Sequence, residues 1–226
     1  MSDKASGLKI ALEDGQQVST LLDAPASPRA VLVLGHGAGA GMAHPFMAKV
    51  AAGLTERGIA CLRYQFPYME RGSKRPDTPA VAQAAVRAAV NEAARQLPGL
   101  PLFAGGKSFG GRMSSQAQAA APLPGVRGLV FFGFPLHPPG KPGSERGRHL
   151  SEIRLPLLFL QGTRDEFAQL DLLQAQVRQL GKPARLTLFE NADHSFHVPA
   201  RTGRKDSQVL AEALDATATW IDEVLK

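Results

Sequence analysis

Pro101-Leu102-Phe103-Ala104-Gly105-Gly106-Lys107-Ser108-Phe109-Gly110 is the stretch that decides the fold. The apolar run from Pro101 to Gly105 reads as a short strand, and the residues from about Phe109 to Ala121 read as a helix. Between them lies a Gly-x-Ser-x-Gly pentapeptide, Gly106 to Gly110, in the strand-to-helix setting of a nucleophile elbow. So sharp a turn strains the serine backbone, and glycines flank it because a Cβ collides where strand and helix pass closely. The turn lifts the Ser108 hydroxyl above the sheet edge. It also sets that hydroxyl at a helix N-terminus, where backbone N–H groups favour negative charge. Taken alone, the pentapeptide also fits a glycine-rich turn with a passing serine.

The pattern continues on both sides. Leu8, Ile10 and Leu12 alternate with polar or small residues, as do Val18, Thr20 and Leu22, and Asp14-Gly15 supplies a turn between them. This predicts a hairpin. Ala30–Leu34 is a continuous apolar run suited to a strand buried on both faces. Pro45 opens a helix through about Arg57, closed by Gly58. Strands follow at Ile59–Tyr64, Leu102–Gly105, Gly128–Phe132, Leu155–Leu160 and Ala184–Phe189, with helices at Pro79–Leu97, Phe109–Ala121, Ala168–Leu180 and Asp206–Leu225. A hairpin followed by strand–helix units predicts an α/β fold: a mostly parallel central sheet with helices on both faces. Gln65–Thr78 and Phe134–His149 read as irregular loops leaving the carboxyl ends of strands, where open α/β sheets bind ligands. Neither is long enough for a cap domain.

The chain has 226 residues, 44% hydrophobic and 20% charged, which suits a single domain over residues 1–226. No apolar run approaches a membrane span. The polar Met1–Gly7 segment lacks the apolar core of a signal peptide. The lone Cys61, within Ile59–Leu62, suits a small buried apolar role. A cytoplasmic location is expected. The net charge of +6 is dispersed, with no one-sided basic stripe bearing aromatics, which argues against nucleic acid as a partner. No His/Cys cluster has metal-site spacing.

A serine nucleophile needs a base, and the base an orienting acid, in the chain order nucleophile, acid, histidine. Asp165 follows the strand ending at Leu160, and His194 follows the strand ending at Phe189. Both fall in turns from which they can converge on Ser108. Glu166 and Asp193 are alternative acids, and His197 an alternative base; Asp165 also suits a helix cap. Gly35-His36-Gly37-Ala38-Gly39-Ala40-Gly41 follows the strand at Ala30–Leu34 and suits an oxyanion loop, with the Ala38 and Phe109 N–H groups as donors. The same loop fits Gly-x-Gly-x-x-Ala of a dinucleotide site, with Arg63 available to a 2′-phosphate. A helix starting only at Pro45 is poorly placed for a pyrophosphate, and that reading leaves Ser108, Asp165 and His194 unexplained.

With these residues in view, the chain resembles the α/β-hydrolase fold family over nearly its full length. More narrowly, it resembles small dienelactone-hydrolase-related proteins, a group that includes testis-expressed and NSL-complex-subunit-like members. The segments that carry this are His36–Gly39, His44–Met47, Phe66–Met69, Gly106–Met113 and Pro135–Pro142. The resemblance implies a capless hydrolase with the triad Ser108, Asp165 and His194 and no cofactor. Dienelactone hydrolases proper use a cysteine nucleophile, so their substrate does not carry over. His36, His44, Tyr68, Arg112 and His137 are candidate substrate contacts. For Arg112 a structural pair with an acidic side chain is the favoured reading, and His44 also suits helix initiation. Arg71, Lys74, Arg75, Lys141, Arg146 and Arg148 form either a basic rim for an anionic substrate or solvated loop charge. The function expected is hydrolysis of a small ester or thioester. The alternative is an interaction module of low turnover.

Overall fold

The computed structural model describes residues 6–226. Its strands are β1 (Ser6–Ala11), β2 (Gln17–Asp23), β3 (Ala30–Gly35), β4 (Ile59–Tyr64), β5 (Leu102–Lys107), β6 (Val126–Phe132), β7 (Leu157–Gly162) and β8 (Ala184–Phe189). Its helices are α1 (Pro45–Glu56), α2 (Pro67–Glu70), α3 (Pro79–Gln96), α4 (Phe109–Ala120), α5 (Leu170–Leu180) and α6 (Asp206–Val224). The eight strands form one sheet in the order β1-β2-β4-β3-β5-β6-β7-β8. β2 pairs antiparallel with both β1 and β4, and every other pairing is parallel.

The unbroken apolar runs explain the two cores. All six residues of β3, β4 and β7 are buried, so both faces of the central sheet must be covered. α1 and α6 pack one face through Met47, Val50, Leu54, Val209 and Leu214. α3, α4 and α5 cover the other through Val86, Val90, Met113 and Leu173.

This wiring sets the position of the site. From β3 the chain passes through α1 to β4, then returns past β3 through α3 to β5, and continues to β6. The strand order therefore reverses between β3 and β5, and their carboxyl ends open a crevice there. Gly35 pairs with Gly106 at that end.

Two expectations need correction. The sequence placed β7 from Leu155, but it starts at Leu157: Pro156 has no N–H to give the ladder, and its carbonyl instead accepts from Leu129 N–H. The two supposed irregular loops carry short elements. Pro67 sits in the first turn of α2, where its fixed φ suits a helix start, and a 3-10 stretch runs over Glu145–Glu152. No helix among the described residues is long and apolar enough to cross a membrane.

Candidate active site

Ser108 joins β5 directly to α4, with φ 49° and ψ −111°. A positive φ at a residue with a side chain costs on the order of 1–3 kcal/mol and persists only where the surroundings enforce it. Here backbone packing enforces it. A Cβ on Gly106 or on Gly110 would each come within 2.2 Å of the Gly35 carbonyl oxygen. Only glycines let the elbow lie directly against the end of β3. Ser114 Oγ donates within this turn, 3.1 Å from the Gly105 carbonyl and 2.9 Å from that of Gly110.

Asp165 and His194 arrive from neighbouring turns laced together by backbone. Arg164 N–H donates to the Ala192 carbonyl at 2.9 Å, and Asn191 N–H to Thr163 Oγ1 at 2.9 Å. The His194 Nδ1 to Asp165 Oδ2 distance is 2.7 Å. The carboxylate oxygen accepts, so Nδ1 carries the proton and Nε2 is the basic nitrogen. Asp165 is buried, and its other oxygen accepts from Phe167 N–H at 2.8 Å. The His194 ring lies on Phe167, with centroids 4.2 Å apart. Burial lowers the His194 pKa below its ordinary value, Asp165 opposes this, and the nearby Lys107 cation adds to the lowering. The alternatives are engaged elsewhere. Asp193 Oδ1 accepts from Ser195 and His197 N–H groups, His197 pairs with Asp206 in solvent, and Glu166 is exposed.

Ser108 and His194 share a cleft of about 400 Å³ with Gly37, Ala38, His44, Phe46, Met47 and Phe167. The glycine loop passes over Ser108 closely enough that a Cβ on Gly37 would sit 3.9 Å from Ser108 Cβ. Ala38 therefore lies beside the serine, and Phe109 opens α4, whose first N–H groups have no acceptor within the helix. His44 is exposed at the rim and also caps α1, accepting from Phe46 N–H at 3.2 Å. A second arm of the crevice, about 310 Å³, leads from Ser108 past Phe109 to Arg112 and Arg146.

Three candidate contacts are structural instead. His36 is fully buried; its Nδ1–H donates to the Gly37 carbonyl at 2.8 Å and its Nε2 accepts from Phe66 N–H at 3.1 Å. Burial lowers its pKa to about 4, so the ring is neutral. His137 repeats the device, with Nδ1 2.8 Å from the Pro138 carbonyl and Nε2 accepting from Gln169 N–H at 2.8 Å. Tyr68 is buried, and its hydroxyl accepts from Gly39 N–H at 3.0 Å, which holds the glycine loop from behind. None of the three offers a free polar atom to the cleft. Arg63, needed by the dinucleotide reading, is buried against Asp23 at 2.7 Å and donates to the Met42 carbonyl, so it is unavailable to a phosphate.

Sequence reasoning missed two residues. Gln161 is fully buried; its Nε2 donates to Asp165 Oδ2 at 2.5 Å and its Oε1 accepts from Phe134 N–H at 2.9 Å. Lys107 donates to the His194 carbonyl at 2.6 Å, with its ammonium about 6 Å from the Phe46 and Phe196 rings. Burial lowers its pKa to about 8 against the pull of Asp165 and Asp193. Strand parity gives the face of Lys107 once β5 is known to run to residue 107. It lies four residues beyond Phe103, on the face of β5 that meets α1 and α6. Among the described residues no group of three or more His, Cys, Asp or Glu is arranged to hold a metal ion.

Comparison with solved structures returns the same architecture. The chain is similar to a dienelactone hydrolase from Anabaena variabilis, at 17% identity and TM-score 0.79, covering 99% of each chain. It is similar to an alpha-beta serine hydrolase homologue from Coxiella burnetii, at 18% identity and TM-score 0.77, covering 96% of this chain and 99% of the other. A serine hydrolase without a lid, XC6422 from Xanthomonas campestris, matches at 20% identity and TM-score 0.76 over 97% and 96%. At such identities the likeness is one of fold. A family model described as an alpha/beta hydrolase domain matches residues 28–222. That match, over most of the sequence, establishes that the chain belongs to the α/β hydrolase family.

Proposed function

We propose that this protein is a serine hydrolase that cleaves a small ester or thioester through an acyl-enzyme. One observation carries the reading: a strained, cleft-lining Ser108 shares its pocket with a His194 whose Nδ1 is tied to the buried Asp165. His194 Nε2 takes the Ser108 proton as Oγ bonds to the substrate carbonyl carbon. The Ala38 and Phe109 N–H groups donate to the oxyanion, and Asp165 holds the histidine tautomer and steadies the imidazolium. As the tetrahedral intermediate collapses, the carbon–oxygen or carbon–sulfur bond breaks and His194 returns the proton to the leaving group. Water then repeats the sequence, freeing the acid and Ser108.

A fluorophosphonate probe tests this. It is expected to label the wild-type protein at Ser108 and to spare Ser108→Ala; equal labelling of both overturns the assignment. The narrower resemblance to testis-expressed and NSL-subunit-like proteins motivates the alternative of an interaction module, which predicts no labelling of either.

A further inference from the structure

The second arm of the crevice is built unlike the first. Its far wall holds two guanidinium groups, Arg112 from the second turn of α4 and Arg146 from the 3-10 stretch. Neither makes an ion pair among the described residues. Arg112 Nε is buried and has no hydrogen-bond acceptor. Its guanidinium lies 5.8 Å from the Phe109 ring centroid, which keeps the side chain beside the nucleophile. The carboxylate on this wall is already committed. Asp77 accepts from Tyr68 N–H at 2.7 Å and from Arg71 Nη2 at 2.5 Å. His149, behind Arg112, bonds to Ser115 Oγ at 2.8 Å, and burial and the Arg112 charge hold it neutral, with a pKa of about 4. Two like charges, partly desolvated and unpaired, repel one another, and a protein seldom leaves such a pair without a counter-charge.

We propose that Arg112 and Arg146 form an oxyanion subsite, which receives a carboxylate or phosphate group of the substrate whose carbonyl lies at Ser108. The inference rests on the serine-hydrolase reading for the position of the scissile bond, but binding of the anion does not depend on it. The guanidinium groups of Arg112 and Arg146 line the arm, and a pair of such planar forks suits a carboxylate or a phosphate. Ser108 lines both arms, so an acyl ester there can extend one end toward the arginines.

The rate test compares p-nitrophenyl hemiglutarate with the neutral p-nitrophenyl valerate. Wild-type kcat/KM is expected to favour the anionic ester at least tenfold, with the preference falling as ionic strength rises. Arg146→Gln and, separately, Arg112→Met are each expected to cut that ratio at least tenfold. Arg148→Gln, an exposed charge on the same 3-10 stretch, is expected to keep it. An equal ratio for wild type, or an equal drop in Arg148→Gln, overturns the proposal. Titration calorimetry on Ser108→Ala gives a readout free of turnover. Glutarate and inorganic phosphate are the probes, and the tighter of the two identifies the oxyanion. Binding that Arg146→Gln abolishes supports the subsite even if neither ester is hydrolysed, an outcome that would sink only the hydrolase reading. No binding of either anion overturns the subsite while leaving the hydrolase reading intact.

Discussion

Acid should loosen this protein through His36. In the folded chain the imidazole is sealed between the Gly37 carbonyl and the Phe66 N–H. Burial holds the folded pKa at about 4, against the bond to Gly37, compared with 6.5 in the unfolded chain. Between those values the unfolded state binds more protons, so stability is complete above pH 6.5 and falls as pH drops toward 4. Linkage puts the loss from this one side chain at about 2 kcal/mol by pH 5 and about 3 kcal/mol by pH 4. The comparison is His36→Gln, whose amide oxygen can still accept from Phe66 N–H. Loss of the donor to Gly37 costs it about 1 kcal/mol at pH 8. Urea unfolding of both proteins at pH 8, 6 and 5 measures the gap. Wild type is more stable at pH 8, and the gap closes and reverses by pH 5. A gap constant across that range would refute a neutral, sealed His36.

The other expectations concern the elbow and its neighbours. Gly110→Ala forces a Cβ to 2.2 Å from the Gly35 carbonyl and should cost about 3 kcal/mol or more in thermal unfolding. Gly39→Ala, with open space but a φ of 73°, should cost only about 1–2 kcal/mol. Asp165→Asn should lower kcat on p-nitrophenyl esters by about 10⁴, since the amide no longer holds the Nδ1–H tautomer. Lys107→Met removes a cation that depresses His194, so the acid limb of kcat/KM should move to higher pH. A lower rate with an unmoved limb would make Lys107 merely structural.

Backbone chemistry was readable from the sequence; side-chain direction in loops was not. Gly106, Ser108 and Gly110 announce the elbow because their spacing encodes a collision avoided, and the order Ser108, Asp165, His194 reflects which strands carry the turns. Gly35–Gly41 reads as a loop approaching a ligand for the same reason. His36, Tyr68 and His137 look equally suited to substrate, yet whether a loop imidazole points outward or back into the fold is settled by distant partners such as Phe66 and Gln169. The absence of an acidic partner for Arg112 likewise depends on Asp77 being taken by Arg71 and Tyr68 of its own loop, a choice that nothing in the sequence around Arg112 announces. Lys107 was hidden for a different reason. It occupies the variable position of the motif, and only the extension of β5 to residue 107 fixes its face.

The His137 tie also says where this protein can be re-engineered. The ring fastens the root of the loop after β6 to the segment that carries Asp165 and Phe167, through Gln169 N–H and the Pro138 carbonyl. On the other side, buried Leu150 and Ile153 anchor the end of the 3-10 stretch in the core. Gly147 is buried and His149 holds Ser115 Oγ, so the exchangeable cassette is the run ahead of them. A foreign loop spliced from residue 139 to residue 146 would replace Arg146 and reshape one arm of the crevice. The bonds of Gln161, Asp165 and His194 would lie outside the cut.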